Sequence, residues 1–209
     1  GIVIRTLAPL LLEKGVEPPV LAVAEDGSAV VPLLGGLGGV NVMAREIAAA
    51  LQVAPAITTS GELRFGTCLL NPPSGYSLGD LEQGKRFVSD LLAGESVRIE
   101  GAAPWLDQAQ LPEDEQARLA IRIDSAAGKP AADELRIYPR NVLVALSAGA
   151  SADIGAILEQ ASLAPQSLAC LLAADSDMAR AELHETASAL GVPLRFAAAN
   201  GNLETWLSD

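Results

Sequence analysis

Residues 31–66 read VPLLGGLGGVNVMAREIAAALQVAPAITTSGELRFG, and this stretch decides the fold. An apolar strand is followed by a loop with four glycines in five residues. Apolar side chains then recur at helical spacing, which predicts a helix over residues 42–53 with Asn41 as its N-cap. A second strand is predicted at Pro55–Thr59. Strand, helix and strand in this order predict a βαβ unit with a parallel strand pair.

The residues before this stretch predict a helix and a β-hairpin. Residues 1–15 are apolar and predict a helix with Pro9 near its first turn. Two short strands, Val20–Asp26 and Ala29–Leu34, follow on either side of an Asp-Gly pair, which is a typical hairpin turn.

The residues after the stretch alternate between predicted strands and helices, which indicates the α/β class. We therefore predict two small α/β units with mostly parallel sheets flanked by helices, an N-terminal and middle region at residues 1–140 and a C-terminal domain at residues 141–209. The predicted strands are residues 96–101, 118–124, 136–148, 167–174 and 193–198, and the predicted helices are residues 81–92, 152–163, 179–190 and 202–207.

The composition excludes several classes of function. A formal net charge of −12 argues against unaided binding of nucleic acid, which needs a basic surface. No stretch approaches the ~20 apolar residues of a membrane span. Because no signal peptide is recognised, the expected location is the cytoplasm.

Metal and cofactor sites are not predicted. The chain has one histidine, so a His-rich metal site is impossible. Cys68 and Cys170 both lie in apolar runs and are predicted to be buried free thiols. We predict neither a cofactor nor a metal.

The glycine loop is a candidate ligand site, because N–H groups at the start of a helix hold phosphates and carboxylates well. Hydroxyls after the next strand would line the same crevice, since parallel strands end on one side of a sheet. The alternative is that the glycines only allow close packing. The loop has neither a P-loop nor a dinucleotide-binding spacing. The candidate binding residues are Gly35, Gly36, Gly38, Gly39, Asn41, Thr58, Thr59 and Ser60.

Residues 1–66, from GIVIRTLAPLLLEKG to ITTSGELRFG, resemble the cobalamin biosynthesis protein G family, CbiG. The ITTSGELRFG ending is most similar to a form fused to the precorrin-3B methyltransferase. Residues 141–209 resemble a diverged CobE-like domain, most clearly at ALGVPLRF.

The resemblance implies a role in vitamin B12 synthesis. The family opens the δ-lactone of cobalt-precorrin-5A and releases acetaldehyde, so the implied ligand is a corrinoid intermediate with many carboxylates. Glu62 stands where the family usually has aspartate, and is the implied catalytic base. Arg5 matches a family arginine and is either a carboxylate clamp or a surface charge.

The chain departs from the family pattern at important positions. Gly36 stands where family members carry a histidine, the obvious acid or base for lactone hydrolysis. In the C-terminal domain, the loop Leu146–Gly155 lacks the family's cysteine and arginine, and Asp177 replaces a lysine. We therefore expect this domain to have lost its ligand role or to keep only a packing role.

Three functions remain open. The chain is a cobalt-precorrin-5A hydrolase, or a non-catalytic corrinoid-holding domain that serves a fused or separate precorrin methyltransferase, or a purely structural domain. The missing histidine favours the second, and the otherwise complete N-terminal pattern favours the first.

Overall fold

The structure is a computed structural model that describes residues 2–11, 17–149 and 153–197. The chain divides into two units, residues 1–71 with 106–111 and residues 72–105 with 112–209, called here the first and the second unit. The predicted domain boundary near residue 140 falls inside the second unit, between its two sheets, and stays a prediction. The predicted helix at residues 202–207 lies outside the described residues.

The first unit contains a hairpin and three helices. β1 and β2 pair antiparallel, as the Asp-Gly turn predicted, and the Ser28 N–H donates to the Asp26 side chain at 3.0 Å. A small core of Val30, Ala44 and Ala48 joins the hairpin to α2. The elements are α1 (Ile2–Leu7), β1 (Val20–Val23), β2 (Val30–Leu34), α2 (Val40–Leu51) and α3 (Ser60–Phe65).

The predicted parallel strand pair of this unit is wrong. β2 makes only a single parallel bridge, between Val30 and Pro55, with the Ala56 N–H donating to the Val30 carbonyl at 2.8 Å. The chain then turns into α3, because Thr59 has extended backbone geometry and is the N-cap of that helix. The predicted strand at Pro55–Thr59 is therefore a short connection with one bridge, and α3 follows it.

The N-cap assignment of Asn41 is also wrong. α2 begins at Val40, and its N-cap is Gly39, whose φ is +86°. Asn41 lies inside the first turn with its side chain buried. Its amide is therefore available to a neighbouring helix rather than to its own helix end.

The second unit contains two sheets, and the α/β class is confirmed. In the first of them, β4, β5 and β6 are parallel and β3 joins antiparallel at the edge, in the order β3-β6-β5-β4. The second is the all-parallel sheet β7-β8-β9. The elements are β3 (Tyr76–Leu78), α4 (Leu81–Ala93), β4 (Val97–Glu100), β5 (Leu119–Ile123), β6 (Glu134–Pro139), β7 (Val142–Ala145), α5 (Ile154–Gln160), β8 (Leu168–Ala174), α6 (Ala181–Leu190) and β9 (Leu194–Ala197).

Side chains alternate between the two faces of β4, β5 and β6. One face is apolar and supplies buried residues such as Ile121 and Leu135. The other face carries a row of ion pairs that crosses all three strands, which we call the charge row. Its members are Arg98, Glu100, Arg122, Asp124, Glu134 and Arg136.

Candidate functional site

Helices α2 and α3 bring four polar side chains together, which we call the Glu62 cluster: Asn41, Arg45, Thr59 and Glu62. Asn41 Nδ2 donates to Glu62 Oε1 at 2.6 Å and lies 2.9 Å from Thr59 Oγ1, which also accepts from it. Arg45 Nη2 pairs with the other carboxylate oxygen, Glu62 Oε2. Both carboxylate oxygens therefore have a donor.

The Glu62 cluster is buried at its carboxylate and open at its guanidinium. The Glu62 side chain is 3% exposed, whereas that of Arg45 is 47% exposed. A buried carboxylate is costly unless it is paired and hydrogen-bonded, so the two donors are what allow Glu62 to be ionised there. In turn, Glu62 holds Arg45 by one nitrogen while the rest of the guanidinium reaches solvent.

Local sequence explains how the cluster forms. Asn41 and Arg45 are four residues apart, so they lie on the same face of α2. Thr59 and Glu62 have the T-x-x-E spacing of a capping box at the start of α3. The Thr59 side chain does not cap its helix but accepts from Asn41 instead. Sequence reasoning missed Arg45, although its spacing from Asn41 was a usable signal.

The glycine loop has a steric and conformational explanation. Gly35 has a φ of +79°, and a Cβ there would lie 2.7 Å from the Pro18 carbonyl oxygen and from Pro19 Cα. No larger residue fits such an approach of two backbone segments. At Gly36, in contrast, a Cβ would meet no heavy atom within 4 Å.

Two of the predicted anion-binding amides, those of Gly38 and Gly39, are already used inside the loop, together with that of Val40. The Gly35 carbonyl accepts from Gly38 N–H at 2.9 Å and from Val40 N–H at 3.2 Å. Gly39 N–H donates to the Gly36 carbonyl at 3.4 Å. The loop therefore offers fewer free amides to a ligand than its glycine content suggested.

The remaining predicted residues lie at different distances from the cluster. Thr58 and Ser60 are exposed and flank Thr59 in the chain. Arg5 is exposed on α1, and within residues 2–11 and the other described ranges no hydrogen bond or ion pair joins it to the cluster. The structure thus groups Asn41, Thr59 and Glu62 but not Arg5.

Both cysteines are free, as predicted, but they are half-buried rather than buried. Cys68 follows α3 in a turn, which leaves part of it open to solvent. Burial raises the pKa of the Cys68 thiol, and the Glu62 carboxylate raises this pKa further, whereas Arg45 lowers it. Cys68 is therefore electrostatically coupled to the Glu62 cluster.

In the second unit, Asp177 has a structural contact set. Its carboxylate oxygen Oδ2 accepts from the Gly149 N–H at 2.9 Å and from Arg180 Nη1 at 3.2 Å. Asp177 thus ties the backbone at Gly149 to the start of α6.

Across the parts of the chain that the structure describes, no group of three or more His, Cys, Asp or Glu side chains could hold a metal ion. Over the same residues, every helix is too short or too polar to cross a membrane.

Comparison with known proteins matches the N-terminal part of the chain. Residues 1–62 match the family described as Cobalamin synthesis G N-terminal. A cobalt-precorrin-5A hydrolase of Priestia megaterium is 40% identical over 65 residues, which are 31% of this chain and 17% of that protein. A cobalt-precorrin-5A hydrolase of Salmonella typhimurium is 32% identical over 117 residues, which are 54% of this chain and 32% of that protein. The chain therefore matches less than half of the length of either relative.

A solved structure of a putative cobalamin biosynthesis protein G homolog from Sulfolobus solfataricus aligns over 100% of this chain and 64% of its own, with 19% identity and a TM-score of 0.36.

Proposed function

We propose that the chain serves cobalamin synthesis by binding a corrinoid intermediate that carries carboxylates, since residues 1–62 match the cobalamin synthesis G N-terminal family. The proposed binding site is the Glu62 cluster together with Gly36, the position at which the glycine loop leaves open space. We further propose that the protein is cytoplasmic and that residues 141–209 form a CobE-like domain. Its proposed partner is a fused or separate precorrin methyltransferase.

The observation that carries the proposal is that Arg45 is paired with Glu62 and yet partly exposed. Its guanidinium is anchored on a buried carboxylate, yet nearly half of the side chain is exposed. An anchored guanidinium keeps several N–H donors in a fixed plane, which is the geometry that binds carboxylates in a bidentate manner. A polycarboxylate ligand is therefore matched to the charge and shape of this residue.

The residues near the cluster in sequence suit a corrin ring, which is apolar on its faces and carries polar groups at its edge. Thr59 Oγ1 accepts from Asn41, which leaves its O–H free to donate outward. Leu37 in the loop, Val42 on α2 and Leu63 on α3 are exposed apolar side chains close in sequence to the cluster. Apolar surface beside a few directed polar groups is typical of small-molecule sites.

Binding is better supported than catalysis. A general base needs a free lone pair aimed at the water or hydroxyl that it deprotonates. Each oxygen of Glu62 accepts one hydrogen bond, from Asn41 and from Arg45, and the side chain is only 3% exposed, so that water has little access to the remaining lone pairs. Gly36 supplies no acid or base in its place. We infer that Glu62 positions Asn41 and Arg45 for the ligand.

The second candidate function is hydrolysis of the cobalt-precorrin-5A lactone with Glu62 as the base. It is favoured by the two relatives, which are both named cobalt-precorrin-5A hydrolases. In this case a water molecule would have to reach a remaining lone pair of the Glu62 carboxylate, whose side chain is 3% exposed.

The test is a titration of the 209-residue protein with a late corrin intermediate, with and without cobalt, followed by the visible spectrum and by an assay for acetaldehyde. We expect a saturable spectral shift without acetaldehyde. Arg45→Gln should weaken binding by about tenfold to a hundredfold, because it removes a charge-assisted contact worth about 1.5–3 kcal/mol. Arg195→Gln makes the same charge change at an exposed residue of β9, and this variant should bind the corrin intermediate like the wild type.

The outcomes separate the candidates. Equal weakening in Arg45→Gln and Arg195→Gln would contradict a site at the Glu62 cluster and leave only a general charge effect. Acetaldehyde release that disappears in Glu62→Gln would establish the hydrolase instead. The absence of any spectral shift in the wild-type protein would reject both.

A further inference from the structure

The second unit contains an open cavity of about 590 Å³ at the carboxyl ends of its parallel strands. Ala102 follows β4, Asp124 and Ser125 follow β5, and Arg140 and Asn141 follow β6, and all five line the cavity. Parallel sheets of α/β proteins bind ligands in the crevice beyond these strand ends. The volume is also within the range of ligand pockets.

The carboxylate in this cavity, Asp124, is neutralised by its neighbours. Its Oδ1 accepts from Arg136 Nη2 at 2.8 Å and from the Ala126 N–H at 3.1 Å, and its Oδ2 accepts from Arg122 Nε at 2.9 Å. Partial burial raises the pKa of Asp124, but the hydrogen bonds from Arg122 and Arg136 outweigh it and hold the pKa below its usual value. Asp124 is therefore ionised and satisfied, and it belongs to the charge row.

The cation in the cavity is uncompensated. Among residues 2–11, 17–149 and 153–197, no carboxylate lies within ion-pair distance of the Arg140 side chain. The Arg140 backbone N–H donates to the Gly75 carbonyl at 2.7 Å, which fixes the start of its side chain at the rim. This isolated guanidinium contrasts with Arg122 and Arg136 next to it, which are both paired.

A second donor is oriented beside Arg140. Ser125 Oγ donates to Asn141 Oδ1 at 2.7 Å, so the acceptor end of the Asn141 amide is occupied and its Nδ2 end is left to donate. Tyr76 supplies one wall of the cavity and packs edge-on against Trp105, with ring centroids 6.0 Å apart. The cavity thus combines two free donors, one of them charged, with an aromatic wall.

We propose that this cavity is a second ligand site, which takes a small molecule through a carboxylate held by Arg140 and Asn141. The guanidinium fork matches the two oxygens of a planar carboxylate. A single cation and a neutral amide match one carboxylate group, whereas phosphate carries up to two charges on a single group and would call for more cationic partners. The site lies outside the Glu62 cluster and does not rest on the function proposed for that cluster.

The test uses succinate as the probe, with inorganic phosphate in a parallel titration and ionic strength held constant with chloride. The 209-residue protein is labelled with ¹⁵N, and the side-chain resonances of Asn141 Nδ2 and Arg140 Nε are followed up to about 50 mM probe, which detects millimolar affinity. We expect saturable shifts of both resonances with succinate and binding of phosphate that is at least about tenfold weaker.

Variants locate the site. Arg140→Gln should weaken succinate binding by about tenfold or more, since it removes the charged half of the contact. Asn141→Asp keeps the size of the side chain but places a negative charge opposite the ligand, and should abolish binding. Arg86→Gln is the matched control, because it removes an exposed arginine of the same unit that does not line the cavity.

Three results would overturn the proposal. They are the absence of saturable shifts with succinate in the wild-type protein, equal affinity in Arg140→Gln and Arg86→Gln, and phosphate that binds as tightly as succinate. If Arg140→Gln does not fold, Asn141→Asp tests the proposal in its place. Full succinate binding by Asn141→Asp would also reject the site.

Discussion

At the scale of single residues, Glu62 illustrates how a buried charge organises its neighbours. It engages Asn41, Arg45 and, through space, Cys68. Asn41 is predicted as a site residue from its place at a helix start, whereas Glu62 is predicted only from the family resemblance. The sequence did not indicate that the two contact each other, since that contact depends on the packing of α2 against α3.

Alkylation of Cys68 measures this coupling. The Glu62 carboxylate raises the pKa of Cys68, whereas Arg45 lowers it. The thiolate is the reactive form of cysteine, so Glu62→Gln should speed alkylation by iodoacetamide at pH 8 and Arg45→Gln should slow it. The measurement is the rate of modification of each cysteine by mass spectrometry.

Cys170 is the internal control for this experiment. Burial raises the pKa of Cys170 and Arg195 lowers it, with no contribution from Glu62 or Arg45. Its rate should stay constant in both variants. If both variants speed alkylation of Cys68, the substitutions have loosened the turn, and the electrostatic coupling is refuted.

At the scale of elements, prediction succeeded where a local signal sets the element. The Asp-Gly pair fixed the β1–β2 hairpin, and helix α4 begins at Asp80, whose side chain accepts from the Gln83 N–H at 2.6 Å, and ends at Gly94, whose φ is +111°. Prediction failed at α3, because the β-branched residues before Ser60 favour a strand. The T-x-x-E spacing of Thr59 and Glu62, which favours a helix start, competes with this signal and decides the structure.

The two neighbouring glycines of the loop should respond differently to alanine. Gly35→Ala places a Cβ 2.7 Å from backbone atoms at a φ of +79°, so it should destabilise the first unit by about 1–3 kcal/mol. Gly36→Ala meets no atom within 4 Å and should be close to neutral. Hydrogen exchange of the α2 amides measures the difference.

This pair is its own control, since both changes add one methyl group to the same loop. Equal loss of protection in the two variants would mean that the loop requires glycine for reasons other than the approach of residues 18 and 19.

At the scale of the whole chain, the two units differ in how predictable they were. In the second unit, the sheet β7-β8-β9 follows the alternation of strands and helices, which is typical of parallel sheets. The first unit has a short antiparallel pair and a cluster of polar contacts that no periodicity encodes. The charge row was also not foreseen, because Arg98, Arg122 and Arg136 come from three strands that are distant in sequence.

The charge row makes the second unit sensitive to acid. The pKa of Asp124 lies below the usual value of 3.8, so its pairing contributes stability above pH 3.8 and loses it as the pH falls through the folded-state pKa. Asp124→Asn should cost about 1–2 kcal/mol at pH 7, a value reduced because the carboxylate is partly exposed. Urea unfolding followed by tryptophan fluorescence measures this difference, which should shrink as the pH is lowered below 3.8.

Asp175→Asn serves as the comparison in the same unit, because Asp175 is exposed. A difference between Asp124→Asn and the wild type that persists unchanged at low pH would show that packing, not charge, accounts for the effect.

The open space at Gly36 makes this position the point at which the loop can accept new chemistry. The neighbouring Gly35 is enclosed by backbone atoms, whereas a Cβ at position 36 meets no heavy atom within 4 Å. A side chain with an acid or base, such as an imidazole, can therefore be introduced next to α2 by a single substitution that leaves the backbone of the loop in place.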